Sequence, residues 1–177
     1  MNDVDRSAEL RLPTIVIPVR LSLIGREVCE AELFVADVVR RGRSHLLDDL
    51  ADLLDAGEGF VPARVTGAVS LISKHAIAWI AVRRRGVDDL PPTDFPEELS
   101  EAATLYDRQY LVRIEVSHGP GITGLLLDSS PADRPRVVDH LNHPGMFVRV
   151  WTSDEHVLVN KRAIVSVTEL GSPGELP

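Results

Sequence analysis

The sequence contains few of the residues that carry redox or base-stacking chemistry. It has a single cysteine, Cys29, and aromatic residues make up 5% of its 177 residues. One cysteine cannot form an internal disulfide, and Cys29 lies in an alternating strand pattern. We therefore expect Cys29 to be a half-buried packing residue, and we predict no redox function.

Long apolar runs are also missing. No stretch of about eighteen apolar residues occurs, so the sequence predicts no membrane-spanning helix. Residues 1–6 are polar and mostly acidic, whereas a signal peptide begins basic and then turns apolar. We expect a cytoplasmic protein with no membrane partner.

The charge balance is acidic. The formal net charge is −8, while 44% hydrophobic and 26% charged residues are typical of a globular chain. A field of this sign repels phosphate backbones, although a local basic patch can still attract them. The composition therefore favours protein partners, or self-association, over nucleic acid.

Two segments of the chain resemble each other. FVPARVTGAVSLISKHAIAWI, which begins at Phe60, aligns without gaps with FVRVWTSDEHVLVNKRAIVSV, which begins at Phe147. About one or two identities are expected by chance in such a window, and the alignment has more. The identical positions are Phe60, Val61, Leu71, Lys74, Ala76 and Ile77. Upstream, VRLSL and VRIEV also correspond, so the chain is interpreted as a tandem duplication.

Each copy alternates apolar and polar residues with a period of two, as in VRLSLIG, VCEAELFV, LVRIEV and MFVRVW. Such alternation predicts half-buried strands. Turn residues interrupt it at Gly25, Thr66-Gly67, Gly119-Pro120-Gly121 and Ser153-Asp154. We predict about five short strands in each copy, which is the size of a small barrel.

One helix interrupts the strands of the first copy. SHLLDDLADLLDAG places its leucines on one face, begins with Ser44 as N-cap and ends near Gly57. Its counterpart RVVDHLNHPG predicts a shorter helical turn. The proline-rich, charged segment RRRGVDDLPPTDFPEEL separates the copies, and DFPEELSEAATLY predicts a short helix. The predicted organisation is a first barrel over 1–86 with an inserted helix over 44–56, a linker over 87–95 and a second barrel over 96–177.

This order of elements resembles the Sm-like family, especially its bacterial RNA chaperone. The first motif of that family is a strand, a glycine turn, a second strand bent at a glycine, and an acidic residue. Matching places are held by Gly25, Ala31 and Asp37 in the first copy, and by Gly119 or Gly121, Gly124 and Asp128 in the second.

The second motif of the chaperone ends in tyrosine, lysine, histidine, alanine and isoleucine. Lys74-His75-Ala76-Ile77 reproduces all but the tyrosine, and the second copy keeps the lysine as Lys161 but has Arg162 in place of the histidine. The resemblance implies two Sm-like or SH3-like barrels whose lysine and histidine line a uridine pocket. It also implies edge strands that a neighbour completes, so that the two copies could pair internally.

The uridine pocket of that family also needs an aromatic or glutamine from a nearby loop. Here VADVVRRGR and LDSSPADRP fill that region without an aromatic residue. Base stacking contributes about 1–3 kcal/mol per base, so much of the expected RNA affinity is missing. We therefore predict that Lys74 and His75 form a solvated polar turn between two strands.

Other candidate chemistry is weaker. Asp139, His140 and His143 could imitate a metal cluster, since residues three apart on a helical turn share one face, and His156 lies beyond a strand. Two histidines without cysteine are nevertheless typical of a solvated turn. The adjacent acids Asp48-Asp49 and Asp88-Asp89 diverge and do not predict an acid/base pair. No phosphate loop or nucleophile motif occurs. We predict no enzyme activity, no cofactor and no metal site.

Arginines cluster after two strands of the first copy. If these clusters lie on one rim, they would form a positive patch suited to an acidic protein surface or a short nucleic acid. The alternative is two solvated loops. The residues concerned are Arg40, Arg41, Arg43, Arg83, Arg84 and Arg85.

The sequence thus predicts an α+β, mainly β protein with two tandem five-stranded barrels that acts as a non-catalytic scaffold or adaptor. An RNA-binding regulator that uses Lys74-His75 and Lys161-Arg162 is the alternative. We expect equivalent burial in both copies of eight residues: Phe60, Val61, Leu71, Ile77, Phe147, Val148, Leu158 and Ile164.

Overall fold

The protein is mainly β. The structure, a computed structural model, describes residues 14–36, 46–56, 59–83, 108–128 and 136–171. Ten antiparallel strands form one sheet. The strands are β1 (Thr14–Leu23), β2 (Cys29–Ala36), β3 (Phe60–Val65), β4 (Ala68–Ser73), β5 (Ile77–Arg83), β6 (Arg108–Val116), β7 (Ile122–Asp128), β8 (Phe147–Trp151), β9 (Glu155–Asn160) and β10 (Ile164–Gly171).

Two short helices and two 3-10 turns complete the described elements. Helix α1 (Leu46–Asp55) precedes β3, and helix α2 (Val137–Asn142) precedes β8. We call β1 to β5 with α1 the first half, and β6 to β10 with α2 the second half. The 3-10 turns lie at Lys74–Ala76 and Lys161–Ala163, each between the fourth and fifth strands of its half. The two halves therefore have the same element order.

The strand order is the same in both halves as well. Along the sheet it is β10-β6-β7-β8-β9-β5-β1-β2-β3-β4, so each half contributes its fifth, first, second, third and fourth strand in that sequence. The halves meet where β9 pairs with β5, with Ile80 opposite Leu158. We call this pairing the β5–β9 joint. Among the described strands, β10 and β4 lie at the two ends of the sheet.

Strand β5 is the most buried strand of the fold. IAWIAV is apolar without alternation because β5 is flanked by β1 and β9 and is covered on both faces. Ile77 and Ile80 belong to one core cluster, while Trp79 and Ala81 belong to another. A continuous apolar run is what a strand buried on both faces requires.

The two larger core clusters are shared between the halves. The first cluster is built on β1, β2 and α1, yet it includes Phe147 and Leu158 from the second half. The second cluster is built on β6 to β9, yet it includes Trp79 from the first half. Each half therefore completes the core of the other.

Helix α1 packs on the first core cluster. Leu50 and Leu54 are fully buried there, and Leu53 packs partly against it. An isolated helix of this length is marginal in water, so burial of its apolar face stabilises it. The predicted leucine face is confirmed for these three residues, while the proposed N-cap Ser44 lies outside the described residues.

Two local features fix strand connections. The β3–β4 hairpin turns at Thr66 and Gly67, which both have positive φ, as a two-residue turn with the twist of the strands requires. Gly124 lies where β7 approaches β8, and an added Cβ would come within 2.5 Å of the Trp151 carbonyl oxygen. Only glycine fits at that position without a shift of β8.

The prediction of equivalent burial is wrong at three positions. Phe60 is 58% exposed whereas Phe147 is 7% exposed, and Leu71 is 71% exposed whereas Leu158 is 1% exposed. Ile164 is half-buried, unlike the buried Ile77. The reason is position: the buried residue of each pair lies near the β5–β9 joint, and the more exposed one lies near an end of the sheet.

The predicted linker over 87–95 and the short helix after it lie outside the described residues. The domain boundaries therefore stay predictions. What the described strands establish is one sheet with five strands from each half.

Leu50 provides a test of the helix packing. We expect Leu50→Ala to lower the free energy of unfolding by about 2–5 kcal/mol, because it leaves a cavity in the first core cluster. Val138→Ala on the exposed side of α2 should change it by less than about 0.5 kcal/mol. Urea denaturation measures both, and equal small effects would contradict the assignment of α1 to the core.

Candidate functional site

The residues predicted to bind RNA lie on the two 3-10 turns. In each half the turn follows directly on the fourth strand, and its first N–H donates to a carbonyl just before the third strand. Lys74 N–H donates to the Gly59 carbonyl and Lys161 N–H donates to the Met146 carbonyl. The same pair of segments is thus joined in both halves.

The two lysines make the same side-chain contact. Lys74 Nζ donates to the Ala56 carbonyl at 3.0 Å and also to the Leu53 carbonyl. Lys161 Nζ donates to the His143 carbonyl at 2.5 Å. Ala56 and His143 each follow the last residue of a helix, so each lysine places a positive charge where the helix dipole is negative.

This contact corrects the prediction of a solvated Lys74-His75 turn. His75 is exposed as predicted, but Lys74 is only 2% exposed, and its ammonium group is held by the end of α1. The lysine therefore has a structural role that joins the helix to the turn. The sequence shows that a lysine recurs at the equivalent position, Lys161. It does not show why, because the groups that accept hydrogen bonds from the two lysines are backbone carbonyls.

The residues that follow the two lysines come together. His75 and Arg162 are 87 residues apart in the chain, yet Arg162 Nη1 lies 3.3 Å from His75 Nδ1. Both side chains are exposed. The β5–β9 pairing places the two turns side by side, so equivalent positions of the two halves share one small polar surface.

Burial lowers the pKa of Lys161, and the nearby Asp55 carboxylate offsets part of this shift. Asp55 is the last residue of α1 in the first half, and its Oδ1 accepts a hydrogen bond from the Met146 N–H at 2.7 Å. Asp55 thus contacts the second half in two ways: it accepts a hydrogen bond from the Met146 N–H, and its negative charge attracts the Lys161 ammonium group.

The predicted arginine patch is described only in part. Arg40, Arg41, Arg43, Arg84 and Arg85 lie outside the described residues. Arg83 is exposed at the end of β5, where it lines a shallow cavity together with Arg20 and Glu30. Two arginines and one glutamate line this cavity, so its charge is mixed.

The candidate metal ligands have other partners. Asp139 accepts a hydrogen bond from the Arg136 N–H at 3.0 Å at the start of α2. His156 packs edge-on against Trp151, with ring centroids 4.2 Å apart. Among the described residues, no group of three or more histidine, cysteine, aspartate or glutamate side chains could hold a metal ion.

The sequence reasoning missed the polar contacts that join the halves. Asn160 is fully buried, and its Nδ2 donates to the Ile77 carbonyl at 2.9 Å and to the Lys74 carbonyl at 3.4 Å. Arg20 of β1 bridges Glu155 of β9 at 2.5 Å. Each contact links residues distant in sequence, and no local pattern identifies it.

A set of exposed apolar side chains lies at the β4 end of the sheet. Phe60 and Pro62 of β3 lie opposite Ser73 and Leu71 of β4, on the same face as Val69. We name Phe60, Val69 and Leu71, all of them exposed, the apolar edge. Their equivalents at the joint are Phe147, His156 and Leu158, which lie against the first half.

Comparisons with known proteins add no relative: no protein-family model, curated protein or solved structure matches this chain. Within the described ranges, none of the helices is both long enough and apolar enough to span a membrane.

Lys74 can be tested by substitution. We expect Lys74→Met to lower the free energy of unfolding by about 1–3 kcal/mol, because the carbonyls at the end of α1 lose a charged donor. His75→Ala should change it by less than about 0.5 kcal/mol, since this side chain is exposed. Thermal and urea unfolding give both values, and an equally small effect of Lys74→Met would argue against its structural role.

Asp55 can be tested through the titration of Lys161. We expect Asp55→Asn to lower the pKa of Lys161 further, because the substitution removes the charge that raises it while burial still lowers it. NMR titration of the Lys161 side chain measures the shift. Asp154→Asn, which removes an exposed charge elsewhere, serves as the control. A Lys161 pKa that rises in Asp55→Asn would contradict the assignment.

Proposed function

We propose that this chain is a non-catalytic binding and assembly protein, a scaffold or adaptor built from two duplicated small barrels of the Sm-like type. The repeated strand order and the repeated 3-10 turn support the duplication. The lysine that follows the fourth strand in each half, with its matching bond to the end of a helix, supports it further.

The observation that carries the binding function is the apolar edge. Phe60, Val69 and Leu71 lie together on one face of the β3–β4 hairpin, and each is more than half exposed. A contiguous exposed apolar patch is typical of a protein-binding surface, whereas single exposed apolar residues need no explanation. The net charge of −8 also favours a protein over a nucleic acid as partner.

An RNA-binding regulator is the second candidate, and the contact between His75 and Arg162 is the observation that favours it. These exposed side chains gather hydrogen-bond donors from both halves at one place. The resemblance assigns the two lysines, Lys74 and Lys161, to uridine pockets. In the structure both donate hydrogen bonds to carbonyls at helix ends instead. The acidic net charge also opposes RNA, so we place this function second.

Capture of partners from a cell lysate tests the proposal. We expect the tagged chain to retain a protein, either another protein or untagged copies of the chain. A double variant, Val69→Lys with Leu71→Lys, should reduce this retention at least about tenfold, because it places two charges in the apolar edge. Val138→Lys is the matched control, since it places a lysine at another exposed valine, on α2.

The same experiment separates the two candidates. Bound protein and bound nucleic acid are both identified, and a uridine-rich RNA is titrated in physiological salt. Retention that is unchanged in the double variant would contradict the binding role of the apolar edge. Sub-micromolar RNA binding that is lost in His75→Ala with Arg162→Ala would replace the scaffold function by the RNA-binding one.

A further inference from the structure

The ion pair between Arg20 and Glu155 uses only part of the arginine. Arg20 Nη2 donates to Glu155 Oε2 at 2.5 Å, and the guanidinium lies over the Trp79 ring, with Cζ 5.6 Å from the ring centroid. Arg20 Nε is buried, and no described residue accepts a hydrogen bond from it. A buried N–H without an acceptor is uncommon in folded proteins, and a bound ligand is one of its explanations.

The shallow cavity beside Arg20 has a volume of about 350 Å³. Glu30 of β2 and Ala81 of β5 both lie opposite Arg20, so these three side chains share one face of the sheet. Ligand pockets commonly measure about 300–1,000 Å³, so this cavity has room for a small molecule. It is lined by Pro18, Val19, Arg20, Glu30, Ala81 and Arg83.

The charges around the cavity leave one group of each sign. Glu155 neutralises Arg20, because the two form an ion pair. Arg83 and Glu30 are both exposed, and within the described ranges neither takes part in an ion pair. A ligand with a single charge would attract one of these side chains and repel the other. A ligand that carries both charges matches the two together.

The charged residues of the cavity do not recur in the second half, although the lysine of the 3-10 turn does. By the pairing of the equivalent strands, Thr123 takes the place of Glu30, and Leu170 takes that of Arg83. The same strand order thus forms without these two charges. The duplicated architecture therefore does not explain why the first half has them.

We propose that this cavity binds a small zwitterion of the α-amino acid class. The ligand carboxylate accepts hydrogen bonds from Arg20 Nε and from the Arg83 guanidinium, since arginine is well suited to carboxylates. The ligand ammonium group pairs with the Glu30 carboxylate. The apolar walls at Pro18 and Ala81 contact an aliphatic side chain. This site shares no residue with the apolar edge, so the inference goes beyond the proposed function.

Arg20 is held in place before a ligand binds. Trp79, which lies under its guanidinium, is 4% exposed, and Glu155, which holds its Nη2, is 7% exposed. A donor that is already ordered loses little conformational entropy on binding, so Arg20 anchors the carboxylate. Arg83 and Glu30 are exposed and become ordered only when the ligand arrives. We therefore expect Arg20 to fix the position of the ligand and the other two residues to select its charges.

Three related ligands test the charge requirement. L-Leucine carries both charges, L-leucinamide lacks the carboxylate and N-acetyl-L-leucine lacks the ammonium group. Isothermal titration calorimetry of the full chain should show that L-leucine binds at least about tenfold more tightly than either derivative. In NMR spectra of the same titration, the indole N–H resonance of Trp79 should shift more than that of Trp151, because Trp79 packs under Arg20.

Two variants separate the two charges. Arg83→Ala should weaken L-leucine binding about tenfold, because the carboxylate loses a charged donor. Glu30→Gln should weaken it similarly and should also remove the preference for L-leucine over N-acetyl-L-leucine, since no carboxylate remains to recognise the ammonium group. A purely structural role of Glu30 would not change that preference. Arg113→Ala and Glu169→Gln, at exposed positions of the second half, are the matched controls and should leave binding unchanged.

The proposal is overturned by any of three results. The first is no saturable binding of L-leucine up to about 10 mM. The second is a derivative that binds the wild type as tightly as L-leucine does. The third is unchanged L-leucine binding in Arg83→Ala and Glu30→Gln, with thermal unfolding showing that both are folded. Loss of L-leucine binding with protein capture intact contradicts this inference alone, and the reverse contradicts the proposed function alone.

Discussion

The pairing of β5 with β9 is the interaction on which the rest of the structure depends. Without β9, the most apolar of the described strands, β5, would be an edge, and Ile80 and Val82 would lose the strand opposite them. The joint also moves Phe147 into the core of the first half and Trp79 into that of the second. Each of these two clusters thus buries apolar residues of both halves, and burial of apolar surface is the main favourable term in folding.

Much of the architecture could be predicted from the sequence because its determinants are local or repeated. Alternation in VRLSL and LVRIEV predicts half-buried strands, and the leucine spacing that includes Leu50 and Leu54 predicts a helix with one buried face. The self-alignment gave the equivalence of the two lysines, which the matching hydrogen bonds explain. A pattern of this kind identifies which residues face a core, since the period of the element fixes which side chains share a face.

The sequence could not predict which member of an equivalent pair is buried. Leu71 and Leu158 have the same residue type at equivalent positions, but among the described strands Leu158 has another strand beside it and Leu71 has none. Lys74 was misjudged for a related reason: its acceptors at the end of α1 are backbone carbonyls, which every residue carries. The contact between His75 and Arg162 could not be predicted either. It follows from the pairing of β5 with β9, and no local sequence motif indicates it.

The composition of β4 is informative about its surroundings. Natural sheets commonly protect an edge strand with a lysine, a proline or an inward charge, since an unpaired edge recruits other strands. AVSLIS has none of these, and its outward residues Val69 and Leu71 are apolar and exposed. The β10 end carries Glu169 but also the exposed Val165 and Leu170. Among the described strands, β9 is paired on both sides while its equivalent β4 is paired only with β3, so the exposure of Val69 and Leu71 follows from the position of β4 in the sheet.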